Sequence, residues 1–302
     1  MVLRSSRQSI PRFSQGSRAD IAVKSILQKL FRIIETNEAR ILERGSPVAI
    51  HRFRVAVRRS RSLLAFCHGI LPESRIRSAR NTLAWIMEDS NAIRDRQVMQ
   101  DRLKTIQTEL PSPCRKTFLA YRRFLQSEID AELRHLQKQL QSKRYRNFKL
   151  SWLDYLQEKP SQPRGLKNAS VPIAQVSNQM IEKAWTRVLE KGRHIKIRSP
   201  AEDIHKLRIA CKKYRYCVEF FTSPEKAEQE LLALESLQDS LGAFQDISVQ
   251  HGLLAAVKGN TLLDTDCLQA LESLLKQHEQ GLRREAVHEF HLFRQSRRHR
   301  VR

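Results

Sequence analysis

Two segments of the chain carry histidine, arginine and lysine at spacings suited to gripping phosphate-like anions. Ile50-His51-Arg52-Phe53-Arg54-Val55-Ala56-Val57-Arg58-Arg59-Ser60-Arg61 returns as Ile204-His205-Lys206-Leu207-Arg208-Ile209-Ala210-Cys211-Lys212-Lys213-Tyr214-Arg215, at a constant offset of 154 residues. Every basic residue of the first copy meets a basic residue in the second. On a helix that turns roughly 100° per residue, His51, Arg54, Arg58 and Arg61 share an arc of about 80°. Arg52 and Arg59 flank that arc, while Phe53, Val57 and Leu64 fall on the opposite, core-facing side. His205, Arg208, Lys212 and Arg215 repeat the arrangement, with Lys206 and Lys213 beside them. Stacking like charges at i, i+4 costs a helix a few tenths of a kcal/mol per pair, so an anion must offset it. Solvated or acid-paired surface charge is the alternative, and the recurrence of the pattern in a chain with a large cationic surplus decides against it.

The residue roles follow from that geometry. Arg54, Arg58, Arg61, Arg208, Lys212 and Arg215 are expected to contact phosphate directly, with Arg52, Arg59, Lys206 and Lys213 as flanking contacts. His51 and His205 are expected as supporting donors, the alternative being histidines that simply pack. Metal is not expected, because the positions three and four residues after His51 are Arg54 and Val55, neither a ligand. His288 and His291 offer only a faint metal spacing. No glycine-rich phosphate loop, G-K-[ST] motif or carboxylate cluster for catalytic Mg²⁺ is visible, so no catalytic residue is assigned and the protein is not expected to be an enzyme. The cysteines, Cys67, Cys114, Cys211, Cys217 and Cys267, are odd in number and none forms a C-x-x-C pair. Reduced, buried thiols are the expectation.

The elements that must hold these residues are helices. The chain has 302 residues, 40% of them hydrophobic, but only 9 Gly and 10 Pro, too little turn chemistry for an all-β fold. Its 55 Lys and Arg against 32 Asp and Glu give a formal charge of +23. Ser46-Pro47 reads as a helix start running to about His68, with Gly69 as its stop. Ser199-Pro200-Ala201-Glu202 reads as another, with a capping box, running to about Phe221. Ser223-Pro224 opens a third. Leu234, Leu237 and Leu241, like Ile26, Leu30, Ile33 and Ile34, follow helical period. No apolar run approaches the length of a membrane span, and the first residues lack an apolar signal region, so no membrane partner is expected.

Lys159 to Pro172 breaks the periodicity near the midpoint, as a linker between duplicated units would. The boundaries read as a flexible basic arm over 1–16, a first helical half over 17–158, a linker over 159–172, a second half over 173–293 and a basic tail over 294–302. A weaker echo follows each basic segment: Glu88-Asp89-Ser90-Asn91-Ala92-Ile93-Arg94-Asp95 and Asp239-Ser240-Leu241-Gly242-Ala243-Phe244-Gln245-Asp246.

The doubled motif resembles the signature of CHAD domains, helical domains named for their conserved histidines. The resemblance rests on His51-Arg52-Phe53-Arg54-Val55-x-x-Arg58-Arg59-x-Arg61, and on His205-Lys206-Leu207-Arg208-x-x-x-Lys212-Lys213-Tyr214-Arg215-Tyr216 followed by Glu219. Arg94-Asp95, Leu237 to Asp246, and Lys143-Arg144-Tyr145-Arg146-Asn147-Phe148 also look like that family. The resemblance implies an all-α fold of two pseudo-symmetric four-helix bundles with a basic central groove or pore. It further implies binding of inorganic polyphosphate without turnover and without a cofactor, in the cytoplasm and in association with polyphosphate granules. Asp95 and Asp246 then orient basic side chains or cap helices, and Tyr216, Arg94, Lys143, Arg144 and Arg146 support the site. Glu219 has no counterpart in the first copy, where Ala65 stands, so the copies are not expected to be equivalent. The alternative is a nucleic-acid-binding basic helical protein, since +23 attracts any polyanion. At 7% aromatic residues, which fall mainly at core positions of the repeated helices, stacking platforms for bases are not apparent.

Overall fold

In a computed structural model the starts and stops of the sequence become nine α-helices among the described residues. They are α1 (Ala19–Arg44), α2 (Pro47–Leu64), α3 (Glu73–Thr105), α4 (Arg115–Leu140), α5 (Lys143–Gln157), α6 (Ile173–Gly192), α7 (Ala201–Phe221), α8 (Pro224–Val257) and α9 (Thr265–Arg298). A 3₁₀ turn, Ser112–Cys114, precedes α4. The structure describes residues 13–14, 16–106, 109, 111–159, 165–257 and 264–298, and no strand occurs among them. None of the helices is long and apolar enough to cross a membrane.

Local chemistry explains most of the boundaries. Gly45 ends α1 in the left-handed conformation at φ 58°, and its N–H donates to the Ile41 carbonyl. The Ser46 hydroxyl accepts from the Ala49 N–H at 3.4 Å, with Pro47 in the first turn of α2. Helix α2 stops at Leu64, short of His68, because Phe66 and Cys67 donate three residues back, to Leu63 and Leu64, tightening the chain out of helical register. Gly69, at φ 74°, then turns the chain. The expected capping box on α7 is absent. The Ser199 hydroxyl accepts instead from the Lys196 N–H at 2.9 Å, closing a turn before the helix begins.

The core faces match the helical period: Phe53, Val57 and Leu64 are fully buried on α2, as are Leu207, Cys211 and Tyr214 on α7. Lengths also recur, with 26, 18, 33 and 26 residues in α1 to α4 and 20, 21, 34 and 34 in α6 to α9. Helix α5 has no counterpart in that series.

The chain forms two compact units that do not follow its two halves. Unit 1 takes residues 1–90, 134–185 and 213–227, and unit 2 takes 91–133, 186–212 and 228–302. The division expected at 159–172 is thereby replaced by an interleaved one. Helices α3, α4, α6, α7 and α8 each contribute residues to both units. Residues 160–164 of the expected linker lie outside the described residues. The stretch after them is built into unit 1, since Asn168 donates to the Gly69 carbonyl, Ala19 to Val171 and Asp20 to Ala169. The expected arm falls largely outside the described residues, as do residues 299–302 of the expected tail; α9 itself continues to Arg298, past the expected boundary at 293.

The cysteines depart from expectation. Cys114 and Cys267 form a disulfide with Cα atoms 5.4 Å apart, 153 residues apart in sequence and so one residue short of the repeat offset. Sequence spacing concealed it, because the pairing depends on the approach of the starts of α4 and α9 within unit 2. Cys67, Cys211 and Cys217 are free and buried. Burial holds all three thiols above their usual range, Cys217 at about 12, so they are inert as nucleophiles. Closing so long a loop in the unfolded chain is worth about 2–4 kcal/mol in typical proteins. Adding reductant is therefore expected to lower the urea midpoint, and C114S/C267S is expected to reproduce that drop and become insensitive to reductant.

Candidate functional site

The repeated segments lie on α2 and α7, and burial sorts their basic residues into different roles. In unit 1, His51 and Arg52 are exposed and Arg58 and Arg61 are half-buried. Arg54 is only 6% exposed, and its Nη1 donates to the Ser90 hydroxyl at 2.8 Å. The arginine that lies on the flank of the wheel, Arg59, is also 6% exposed. Its Nη2 sits 3.1 Å from Glu219, and its guanidinium lies 5.2 Å from the Phe220 ring and 5.9 Å from that of Tyr216. Arg59 is therefore a core ion pair and not a flanking contact. The helical wheel misplaces it because packing from α7 covers its side of α2.

Glu219 also accepts from Arg215 Nε at 2.7 Å, so one carboxylate holds arginines from both copies of the motif. Tyr216 is buried and stacks on Phe220. Lys213 is exposed. At the start of α5, Lys143, Arg144 and Arg146 are exposed, and the Arg144 guanidinium covers the Trp85 ring at 4.0 Å. The stretch resembling the family's basic-aromatic motif thus presents cations outward while Tyr145 and Phe148 pack inward.

Around Arg61 the charge is one-sided. Burial, with Arg80 and Arg58 adding to it and Glu88 opposing, weakens the hold of Arg61 on its proton. Arginine stays charged nonetheless. Neither Arg58 nor Arg80 forms an ion pair among the described residues.

Unit 2 gathers a second cluster. Arg94, Arg208 and Lys212 face Asp246, whose carboxyl is pushed up by burial and pulled back by those three cations. His205 Nδ1 meets Gln245 Oε1. Asp246 therefore lies among basic side chains, and Asp95 is half-buried on α3. Lys206 is exposed and tied to Asp203 at 3.3 Å and Glu202 at 3.7 Å. Sequence reasoning passed over Arg80 and gave no role to Ser90, Gln245 or Glu88, although the last three stand inside the quoted echo segments. The signal for Arg80 is its place on the face of α3 that meets the end of α2.

No group of three or more His, Cys, Asp or Glu side chains suited to a metal occurs among the described residues, and His288 and His291 are both exposed. The geometry can engage anions through fixed guanidinium and ammonium groups in each unit.

Among curated proteins, none matches the chain. Among solved structures, the chain is similar to the CHAD domain from the plant Ricinus communis, with a TM-score of 0.74 and 21% identity over 93% of this chain and 95% of that one. It is also similar to PptA from Streptomyces chartreusis, with a TM-score of 0.66 and 18% identity over 93% of this chain and 99% of that one. At such identities the likeness speaks for the fold. The CHAD domain profile matches residues 25–255, which includes both basic segments and both echo segments. A profile match over most of the sequence, on top of the doubled His-Arg/Lys motif and the all-helical fold, places this chain in the CHAD domain family.

Proposed function

We propose that the protein binds inorganic polyphosphate through its duplicated basic segments without catalysing its turnover, and that this binding holds it on polyphosphate granules. The observation that carries the reading is the excess of cations over acids at both copies. Arg94, Arg208 and Lys212 surround one carboxylate whose ionisation burial opposes, and Arg58, Arg61 and Arg80 crowd together with Glu88 as the opposing acid. Such clusters gain most from a ligand that brings a negative charge every few ångströms. Arginine supplies forked contacts and lysine mobile point charges.

The large aromatics favour a polyanion without bases. Phe53, Tyr121, Tyr145, Trp152, Tyr214 and Phe244 are buried in the cores, so they offer no face to a nucleobase.

Long-chain polyphosphate bound to the full chain is expected to resist displacement by duplex DNA at equal phosphate concentration and moderate salt, and its affinity is expected to fall steeply with added salt. Ready displacement by DNA would transfer the site to nucleic acid. Release of phosphate from polyphosphate and Mg²⁺ by the pure protein would overturn the non-catalytic part of the reading.

A further inference from the structure

A cavity of about 380 Å³ opens in unit 1 where the end of α2 meets the start of α3. That volume lies at the small end of the range for small-molecule sites, about 300–1,000 Å³. Arg61 lines it from the last turn of α2, and Arg77, Arg80 and Asn81 line it from the first turns of α3. On α3 these positions follow the three- and four-residue spacing of a single helix face. Arg77, like Arg80, is in no ion pair among the described residues. The carboxylate in the lining, Glu73, is engaged by His68 Nδ1 at 2.7 Å. Besides Glu73 and His68 the cavity presents three guanidinium groups and one amide, so guanidinium outnumbers carboxylate three to one in its lining, beside the start of a long helix whose positive dipole end also favours an anion.

The two copies of the motif differ at this point. In the second copy, Arg215 is held by Glu219 four residues later at 2.7 Å. In the first copy the corresponding acid is Ala65, so the corresponding arginine, Arg61, has no carboxylate four residues on and turns to the cavity. The remaining lining, Ile76 and Ala84, is aliphatic, and no Phe, Tyr or Trp is present to stack on a base.

We propose that this cavity is a discrete site for a compact oligophosphate, with Arg61, Arg77 and Arg80 as its anion ligands. The ligand class is inorganic triphosphate or the terminal phosphates of a longer chain. The chain-end form rests on the polyphosphate reading above, because Arg61 belongs to both the extended stripe and the cavity. The triphosphate form does not.

Calorimetric titration of the full chain with sodium triphosphate tests it. One saturable site is expected. Because Arg77 and Arg80 are exposed, R77A/R80A is expected to keep its melting temperature and to lose at least tenfold in triphosphate affinity. A65E, which gives Arg61 the partner that Arg215 has, is expected to weaken triphosphate as well. Triphosphate affinity within twofold of the starting protein in both variants overturns the site, and so does ATP binding tenfold more tightly than triphosphate. Long-chain polyphosphate with free and with chemically blocked ends is titrated in parallel. Tighter binding of the free-ended chain, lost in R77A/R80A, supports the chain-end form; equal binding of the two overturns that form. Failure of any long chain to bind counts against the polyphosphate reading and leaves the triphosphate result standing.

Discussion

Arg58→Glu combined with Lys212→Glu is expected to weaken polyphosphate binding about a thousandfold. One residue comes from each copy of the motif, and both are half-buried on helix faces that carry neighbouring cations. Losing a charged hydrogen bond is worth roughly 1.5–3 kcal/mol. Two such losses sum to about 4 kcal/mol, which corresponds to about three decades in Kd at 1.4 kcal/mol per decade. Each glutamate also sets a repulsive charge where Arg61 or Arg208 stands nearby. Filter binding or calorimetry at fixed salt reads the effect, with melting temperature as the control for folding. An affinity equal to that of the starting protein would remove both segments from the binding surface.

The largest effect on stability is expected at Glu219. Glu219→Ala leaves the Arg59 guanidinium buried without its carboxylate and removes one partner of Arg215 at the same time. Breaking a buried ion pair from one side costs about 3–5 kcal/mol, since the remaining charge has no water to return to. For a chain of this size that is a fall of roughly 10 °C in melting temperature. R59M/E219M is expected to recover most of the loss, because replacing both charges by apolar groups removes the desolvation cost together with the attraction. If the double variant melts as low as Glu219→Ala, shape and not charge explains the site.

Much of the fold was legible from local rules. Ser46 and Pro47 start α2, Pro224 starts α8, and the positions of Phe53, Val57 and Leu64 give the buried face. These features depend on residues within a turn or two of one another, which is the range over which caps and period operate. What escaped depends on contacts between distant segments. Arg59 reads as a flanking cation until Glu219 and Phe220 approach from α7. Cys114 and Cys267 read as unrelated thiols until α4 and α9 bring their starting turns together. Ser199 carries the letters of a cap, but the Lys196 N–H captures its hydroxyl first. Within the candidate site, the identity and spacing of the cations were readable, while their division into buried anchors such as Arg54 and accessible ones such as Arg58 was not.

The interleaving of the two units bears on how such a protein can be taken apart. One apolar cluster of unit 2 joins Met99, Leu103, Ile106, Phe118 and Tyr121 to Ile247, Leu254, Leu271 and Leu275. A scission at the midpoint of the chain sends these two sets of side chains into different fragments, each with a raw greasy face and neither owning a finished interior.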